Sequence, residues 1–201
     1  MSGVSSESTE EKYNRTGRPI IVISGPPGSG KTTYAKRLAS EFSLPYHSAG
    51  QIFRSLASER GLSLIELSRL AEKDPSIDVL IDSTTIRKAL EEGGVIEGHL
   101  TAFVLADVAD LSIYINAPIS TRIQRIASRE ARELYEVAKE TVSREESQYK
   151  RFIDIYGVDT NILEKFDLVI NTDKIGVDEA YEIIRVAVQP VIRKFKLGIP
   201  E

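Results

Sequence analysis

The stretch Ile20-Ile21-Val22-Ile23-Ser24-Gly25-Pro26-Pro27-Gly28-Ser29-Gly30-Lys31-Thr32-Thr33 restricts the fold of this chain more than any other. Four apolar β-formers in a row have no polar alternation. Such a strand is buried on both faces, as in a parallel sheet covered by helices. A glycine-rich turn follows, and a helical pattern opens at Lys31. Gly25, Gly30, Lys31 and Thr32 fit the phosphate-binding pattern G-x-x-x-x-G-K-[ST] with nothing missing. Glycines let successive backbone N–H groups surround a polyphosphate where side chains would block it. The helix adds its unpaired N–H groups and the positive end of its dipole. Lys31 reaches the outer phosphates, and the Thr32 hydroxyl suits a ligand of Mg2+. A glycine-rich turn with an exposed lysine satisfies the letters alone; strand before and helix after are the context that makes it a phosphate site. Binding of ATP or GTP follows.

The rest of the chain must say what the phosphates are for. Its 201 residues suffice for one α/β domain. With 26 basic and 30 acidic residues, the net charge of −4 argues against a large nucleic-acid footprint. Cysteine is absent, which removes disulfides, zinc–thiolate sites and thiol chemistry. Abundant Glu, Lys and Arg beside a single Met fit heat adaptation. No 18-residue apolar run or apolar leader core occurs, so a cytoplasmic protein without membrane contact is expected.

Residues 1–18 are polar and read as a flexible tail before a single domain over 19–201. After the first strand, Thr32 to Phe42 is helical, with Tyr34, Leu38 and Phe42 on one face. Pro45 to Ser48 reads as a short strand near a sheet edge, and Gly50 opens a helix with Ile52, Phe53, Leu56 and Ala57 inward and Arg54 off that stripe. Ser63 and Glu66 have capping-box spacing. Asp74-Pro75 ends that helix, and Ile77 to Glu92 forms another on the stripe Ile77, Leu80, Ile81, Ile86 and Leu90. Asp78 and Asp82 share one of its faces. Val95-Ile96 is the next strand, and Glu97 stands at its carboxyl end, where open α/β sheets bind ligands. There it suits Mg2+ or its waters; a solvated acid is the plainer alternative. Leu111 to Asn116 is the fourth strand. Arg122, Arg125, Arg129 and Arg132 recur at three and four residues and can line one helical face. Glu133 to Ile155 is a charged helix on which Arg144 and Arg151, seven apart, share a face. Such charges are usually solvated; beside a phosphate loop, anion clamping is the better reading for some of them. Phe166 to Asn171 and a closing helix from Val177 to Phe195 complete a five-stranded parallel α/β sheet with helices on both faces.

Over roughly residues 19–188 the chain resembles the nucleoside monophosphate kinases, most closely the archaeal cytidylate kinases. The phosphate loop carries the resemblance together with Ser48-Ala49-Gly50-Gln51-Ile52-Phe53-Arg54, Asp74-Pro75-Ser76-Ile77-Asp78, Val95-Ile96-Glu97-Gly98, Arg144-Glu145-Glu146-Ser147, Ile155-Tyr156-Gly157 and Asp167 to Asp173, in order. It implies a P-loop kinase fold with an acceptor-binding part near 49–92 and a lid near 120–156. It also implies transfer of the γ-phosphoryl group of ATP to CMP or dCMP, with Mg2+. On this resemblance Gly25, Pro26, Pro27, Gly28, Ser29, Gly30, Lys31, Thr32 and Thr33 bind ATP, and Arg125 and Arg129 touch the donor from the lid. Lys31, Arg144 and Arg151 are catalytic, the two arginines closing over the phosphates. Arg54 holds the acceptor's phosphate, while Asp78 faces its base, with Ser68 a second candidate for that pocket. Thr32 ligates Mg2+ directly and Glu97 does so through water.

Two positions depart from the pattern. Many relatives have arginine, a contact to the acceptor phosphate, where this chain has His99; a histidine there is either a shorter donor, charged near or below pH 6.5, or a hydrogen-bonded turn residue. Gln148 stands where bacterial relatives have an aspartate for the ribose. Rival acceptors are AMP, UMP or another small molecule such as shikimate; a zinc-bearing adenylate kinase is excluded by the missing cysteines. A GTPase-type or non-catalytic nucleotide-binding module is disfavoured. Asn171-Thr172-Asp173-Lys174 does not match the guanine-reading Asn-Lys-x-Asp, and Glu97-Gly98 are adjacent where a switch needs Asp-x-x-Gly. The expected partners are small molecules (CMP, dCMP and ATP) with no nucleic acid, and the expected state is a monomer.

Overall fold

The computed structural model describes residues 16–197. Five strands form one parallel sheet: β1 (Ile20–Ser24), β2 (Tyr46–Ser48), β3 (Gly94–Gly98), β4 (Leu111–Asn116) and β5 (Leu168–Asn171), in the order β2-β3-β1-β4-β5. The first strand is central, as its unbroken apolar run requires. Its side chains divide by parity. Ile21 and Ile23 pack with Tyr34 and Leu38 of α1 (Lys31–Phe42) and with Tyr181, Ile184 and Val188 of α8 (Val177–Leu197). Ile20 and Val22 pack on the opposite face with Ala89 of α4 (Ser76–Glu92) and Ala102 of α5 (Thr101–Val104). All four isoleucine and valine side chains are at most 1% exposed, so each contributes about 1.5–3 kcal/mol of apolar burial.

A separate apolar cluster joins α2 (Ala49–Glu59), α3 (Leu64–Ala71) and α4 through Phe53, Ala57, Leu67, Ala71, Ile77 and Ile81. The expected capping box opens α3: Glu66 N–H donates to Ser63 Oγ at 3.2 Å, and Ser63 N–H donates to Glu66 Oε2 at 2.8 Å. The region expected as a lid consists of α6 (Ile119–Glu130) and α7 (Leu134–Tyr156), whose shared buried apolar residues are Ile126, Ala127 and Val137. Among the described residues no helix is long and apolar enough to cross a membrane.

Several local expectations change. The tail expected over 1–18 lies outside the described residues up to 15, but Thr16 N–H donates to the Leu90 carbonyl at 3.1 Å, so its last residues run along the end of α4. The buried stripe of α4 is Ile77, Ile81, Thr85 and Ala89; Leu80 is 50% exposed, because it lies about 100° round the helix from Ile81. The four arginines of α6 do not form one row. Ala131 takes a left-handed conformation (φ 50°) and ends the helix, so Arg132 belongs to the connection before α7. Arg122 instead points inward.

Candidate functional site

Strand register sets the site. Parallel pairing of β1 and β3 places Ser24 beside Gly98 and Ile23 beside Glu97, and pairing of β2 and β3 places Ser48 beside Glu97. The phosphate loop, the acid and the start of α2 therefore leave the sheet at one level, at the carboxyl ends of the strands. Gly25 begins the loop at φ 150°, and a Cβ there would lie 2.1 Å from the Ile115 carbonyl oxygen of β4. No other residue fits that approach. Gly98 is similarly enclosed, 2.0 Å from Thr101 Oγ1 for an added Cβ. The crowded turn after Glu97 is real.

Beneath the loop lies an anchor that periodicity did not reveal. Arg122 donates from Nε to the Ala117 carbonyl at 3.0 Å and from a terminal nitrogen to the Pro27 carbonyl at 2.9 Å. It also forms a forked ion pair with Glu145 of α7. Arg125 binds the Thr172 hydroxyl at 3.0 Å and carbonyl at 2.6 Å, and lines the central cavity. Thr172 in turn donates to the Ser29 carbonyl at 3.2 Å.

That cavity, of about 530 Å³, runs from the loop to α4 and is roofed by α6 and α7. Lys31 stands at its centre and donates to the Pro26 carbonyl at 3.2 Å. Burial lowers its pKa to about 8; Glu97 opposes this, and the charges of Arg144, Arg54 and Arg122 add to it. Four charged groups thus act on one point. Glu97 is 2% exposed, and its carboxylate accepts from Thr32 Oγ1 (2.9 and 3.0 Å), Tyr46 OH (2.8 Å) and Ser48 Oγ (2.7 Å). Ser48 also caps α2 by accepting from Gln51 N–H at 3.1 Å, fixing the helix that carries Arg54. Among the described residues no group of three or more His, Cys, Asp or Glu side chains could hold a metal. The Thr32 hydroxyl and Glu97 carboxylate are both oxygen donors, as Mg2+ prefers, and a magnesium ion normally takes its other ligands from phosphates and water.

The lid arginines stand in different surroundings. Arg144 lies toward Glu140 at 3.5 Å, and its buried Nε has no hydrogen-bond partner among the described residues. Burial and the nearby Arg54 lower its pKa, while Glu140 opposes the shift. Arg132 bridges Glu130 (3.2 Å) and Glu140 (2.8 Å), and Arg129 meets Glu130 at 2.6 Å near the rim. Arg151 is instead buried beside α4: its Nε lies 3.0 Å from Asp78 Oδ2 without the alignment of a hydrogen bond, and a terminal nitrogen donates to the Ser68 carbonyl at 3.1 Å. Two residues expected at opposite ends of the reaction are thus an ion pair. Ser68 meets Arg151 through its backbone and is not part of the cavity wall, whereas Asp78 is. Asp82, one turn further, accepts from Tyr156 OH at 2.5 Å.

His99 and Gln148, the two departures from the family pattern, meet each other: Nδ1 lies 3.0 Å from Gln148 Oε1. The imidazole also contacts Phe152 edge to face at 5.5 Å between centroids. Burial brings its pKa down to about 4, opposed by the Gln148 hydrogen bond and aided by Lys31 and Arg122. Burial thus favours the neutral ring, as a hydrogen-bonded residue of the turn.

Comparison with known proteins agrees with this geometry. A model of the cytidylate kinase-like family matches residues 20–174. A cytidylate kinase of Staphylothermus marinus is 50% identical over 87% of this chain and 99% of its own length. One from Aeropyrum pernix is 49% identical over 81% of this chain and 95% of its own, and one from Methanopyrus kandleri 43% identical over 87% and 95%. Among solved structures, an uncharacterized protein of Eubacterium ventriosum has a TM-score of 0.64 at 20% identity, covering 86% of this chain and 99% of its own. A shikimate kinase of Bacteroides thetaiotaomicron has a TM-score of 0.55 at 12% identity, covering 86% and 98%. The structural likenesses speak for the fold. With half of the residues shared along almost the whole of a relative, and the phosphate loop, acid and lid arginines gathered round one cavity, this chain belongs to the cytidylate kinase-like family.

Proposed function

We propose that the chain transfers the γ-phosphoryl group of ATP to CMP or dCMP, giving ADP and the nucleoside diphosphate. One observation carries the reading. Lys31 at the loop, Arg54 from the acceptor side and Arg144 from the lid act on the same point of a single cavity. Such an arrangement suits two anions that must be brought together, one on the loop and one on α2. The names and extent of the relatives point to CMP as acceptor.

Phosphoryl transfer needs positioning and charge neutralisation more than a protein nucleophile. The loop amides and Lys31 hold the donor's outer phosphates. Arg54 holds the acceptor's phosphate in line, and Arg144, with its free Nε, offsets charge on the transferring group. Arg125 and Arg129 lie on the donor side of the lid. Arg151 reaches phosphate only by exchanging Asp78 for it. Thr32, and Glu97 through water, would hold Mg2+, which would supply positive charge beside the outer phosphates. Neutral His99 and Gln148 contribute hydrogen bonds without charge. The reading takes the enzyme to act as a monomer.

A coupled ADP-release assay with ATP, Mg2+ and each of CMP, dCMP, UMP, AMP and GMP tests the reading. Fast turnover with CMP and dCMP is expected. AMP or GMP as best acceptor, or no acceptor among the five, refutes it.

A further inference from the structure

Two carboxylates one turn apart on α4 line the acceptor end of the cavity. They differ in how much of each is taken. Asp78 is 6% exposed and neutralised by Arg151, itself 3% exposed and fastened to the Ser68 carbonyl. Asp82 faces the same cavity, and one of its oxygens, Oδ2, is fixed by Tyr156 OH at 2.5 Å. Its other oxygen, Oδ1, has no donor among the described residues. The walls beside it include Phe53, Ile81 and Phe152, apolar surfaces suited to a flat ring.

We propose that Asp82, held by Tyr156, reads the hydrogen-bonding edge of the acceptor's base, while Arg151 takes up the charge of Asp78 beside it. The inference rests on the kinase reading above and assigns the residue that selects the acceptor. The exocyclic amino group of cytosine donates, and Oδ1 accepts. Burial pushes Asp82 up to about 6, and the Tyr156 hydrogen bond, which favours the ionised form, opposes this. Uracil places a carbonyl oxygen where cytosine has its amino group, and that oxygen is repelled by a carboxylate.

The test is the ratio of kcat/KM for CMP to that for UMP, measured for the wild type and for Asp82→Asn. The amide has the shape of the carboxyl but no charge, and by turning over it matches either base. The ratio is expected to fall about 10- to 100-fold, the size of one good base contact, with ATP affinity unchanged. Tyr156→Phe, which frees Oδ2 and its orientation, is expected to lower the ratio severalfold, and serves if Asp82→Asn does not fold. An unchanged ratio in both variants overturns the assignment, as does a fall seen with Asp78→Asn and not with Asp82→Asn. Those outcomes leave CMP turnover by the wild type intact. A wild type that phosphorylates neither pyrimidine removes the kinase reading, and the Asp82 assignment goes with it.

Discussion

Substitution of Arg151 by methionine isolates the energetics of the acceptor wall. The side chain keeps its length and loses its charge, so Asp78, 6% exposed, is left without a counter-ion. Breaking a buried pair from one side costs about 3–5 kcal/mol. An independent bound comes from protonation. To hold an aspartate neutral at pH 7, against an ordinary value near 3.9, costs up to about 4 kcal/mol at 1.36 per unit, and at pH 5 about 1.5. For a chain of this size a loss of about 3–4 kcal/mol lowers Tm by roughly 6–16 °C. Burial already raises Asp78 in the wild type, with Arg151 opposing. A carboxyl whose folded value is raised contributes fully at low pH and loses that contribution as pH climbs through the folded value. Removing Arg151 raises the folded value further, so variant and wild type diverge as pH rises from 5 to 8. Urea unfolding followed by circular dichroism across that range reads the difference directly. Asp78→Asn combined with Arg151→Met is expected to recover most of the loss, since no lone charge remains. A single-variant loss under about 1 kcal/mol, or one that does not change with pH, refutes the argument.

Two further outcomes follow from the electrostatics of the loop. Burial lowers Lys31 to about 8. Bound phosphate raises it again, so ATP binding near pH 8.5 is expected to take up a fraction of a proton, seen as a buffer-dependent heat in calorimetry; equal heats in buffers of different ionisation enthalpy count against it. His99 is expected to show no titration between pH 5.5 and 8 in imidazole NMR, because its value lies near 4; a midpoint near 6.5 contradicts the desolvation described for the ring.

The sheet was legible because a strand buried on both faces leaves its mark in a short apolar run, as at Ile20–Ile23. The phosphate loop was legible because its glycines are required by geometry, Gly25 against Ile115 most of all. Partnerships across elements were not. Arg122 looks like one of a row of helix arginines, and only the crossing of α6 over α7 shows that it meets Glu145. Likewise Asp78 and Arg151 are far apart in sequence, and nothing local says that each takes up the other's charge. One signal was available and passed over. Val137, Thr141, Arg144, Gln148 and Arg151 recur at four and three residues along α7, the spacing of a buried seam, and all line the cavity. Polar residues at core spacing mark a wall facing a ligand. The reading of α7 as a charged helix used only Arg144 and Arg151 from it; Gln148 came in through the resemblance alone, and Glu140 was missed.

The two halves of the site are held by different forces and answer to different solution conditions. Glu97 is a rung of the β-ladder, paired with Ile23 on one side and Ser48 on the other, so the donor end moves only if the sheet does. The lid has a small apolar core, and much of its cohesion is a relay of charges from Arg129 through Glu130, Arg132 and Glu140 to Arg144. Parts of that relay are open to water, with Arg129 66% and Arg132 39% exposed. Salt screens such pairs and leaves the enclosed Arg122–Glu145 fork almost untouched. Ionic strength therefore loosens the outer contacts of α6 and α7 and leaves the loop's anchor in place, so the cohesion of these helices follows the electrolyte content of the medium while the loop keeps its shape.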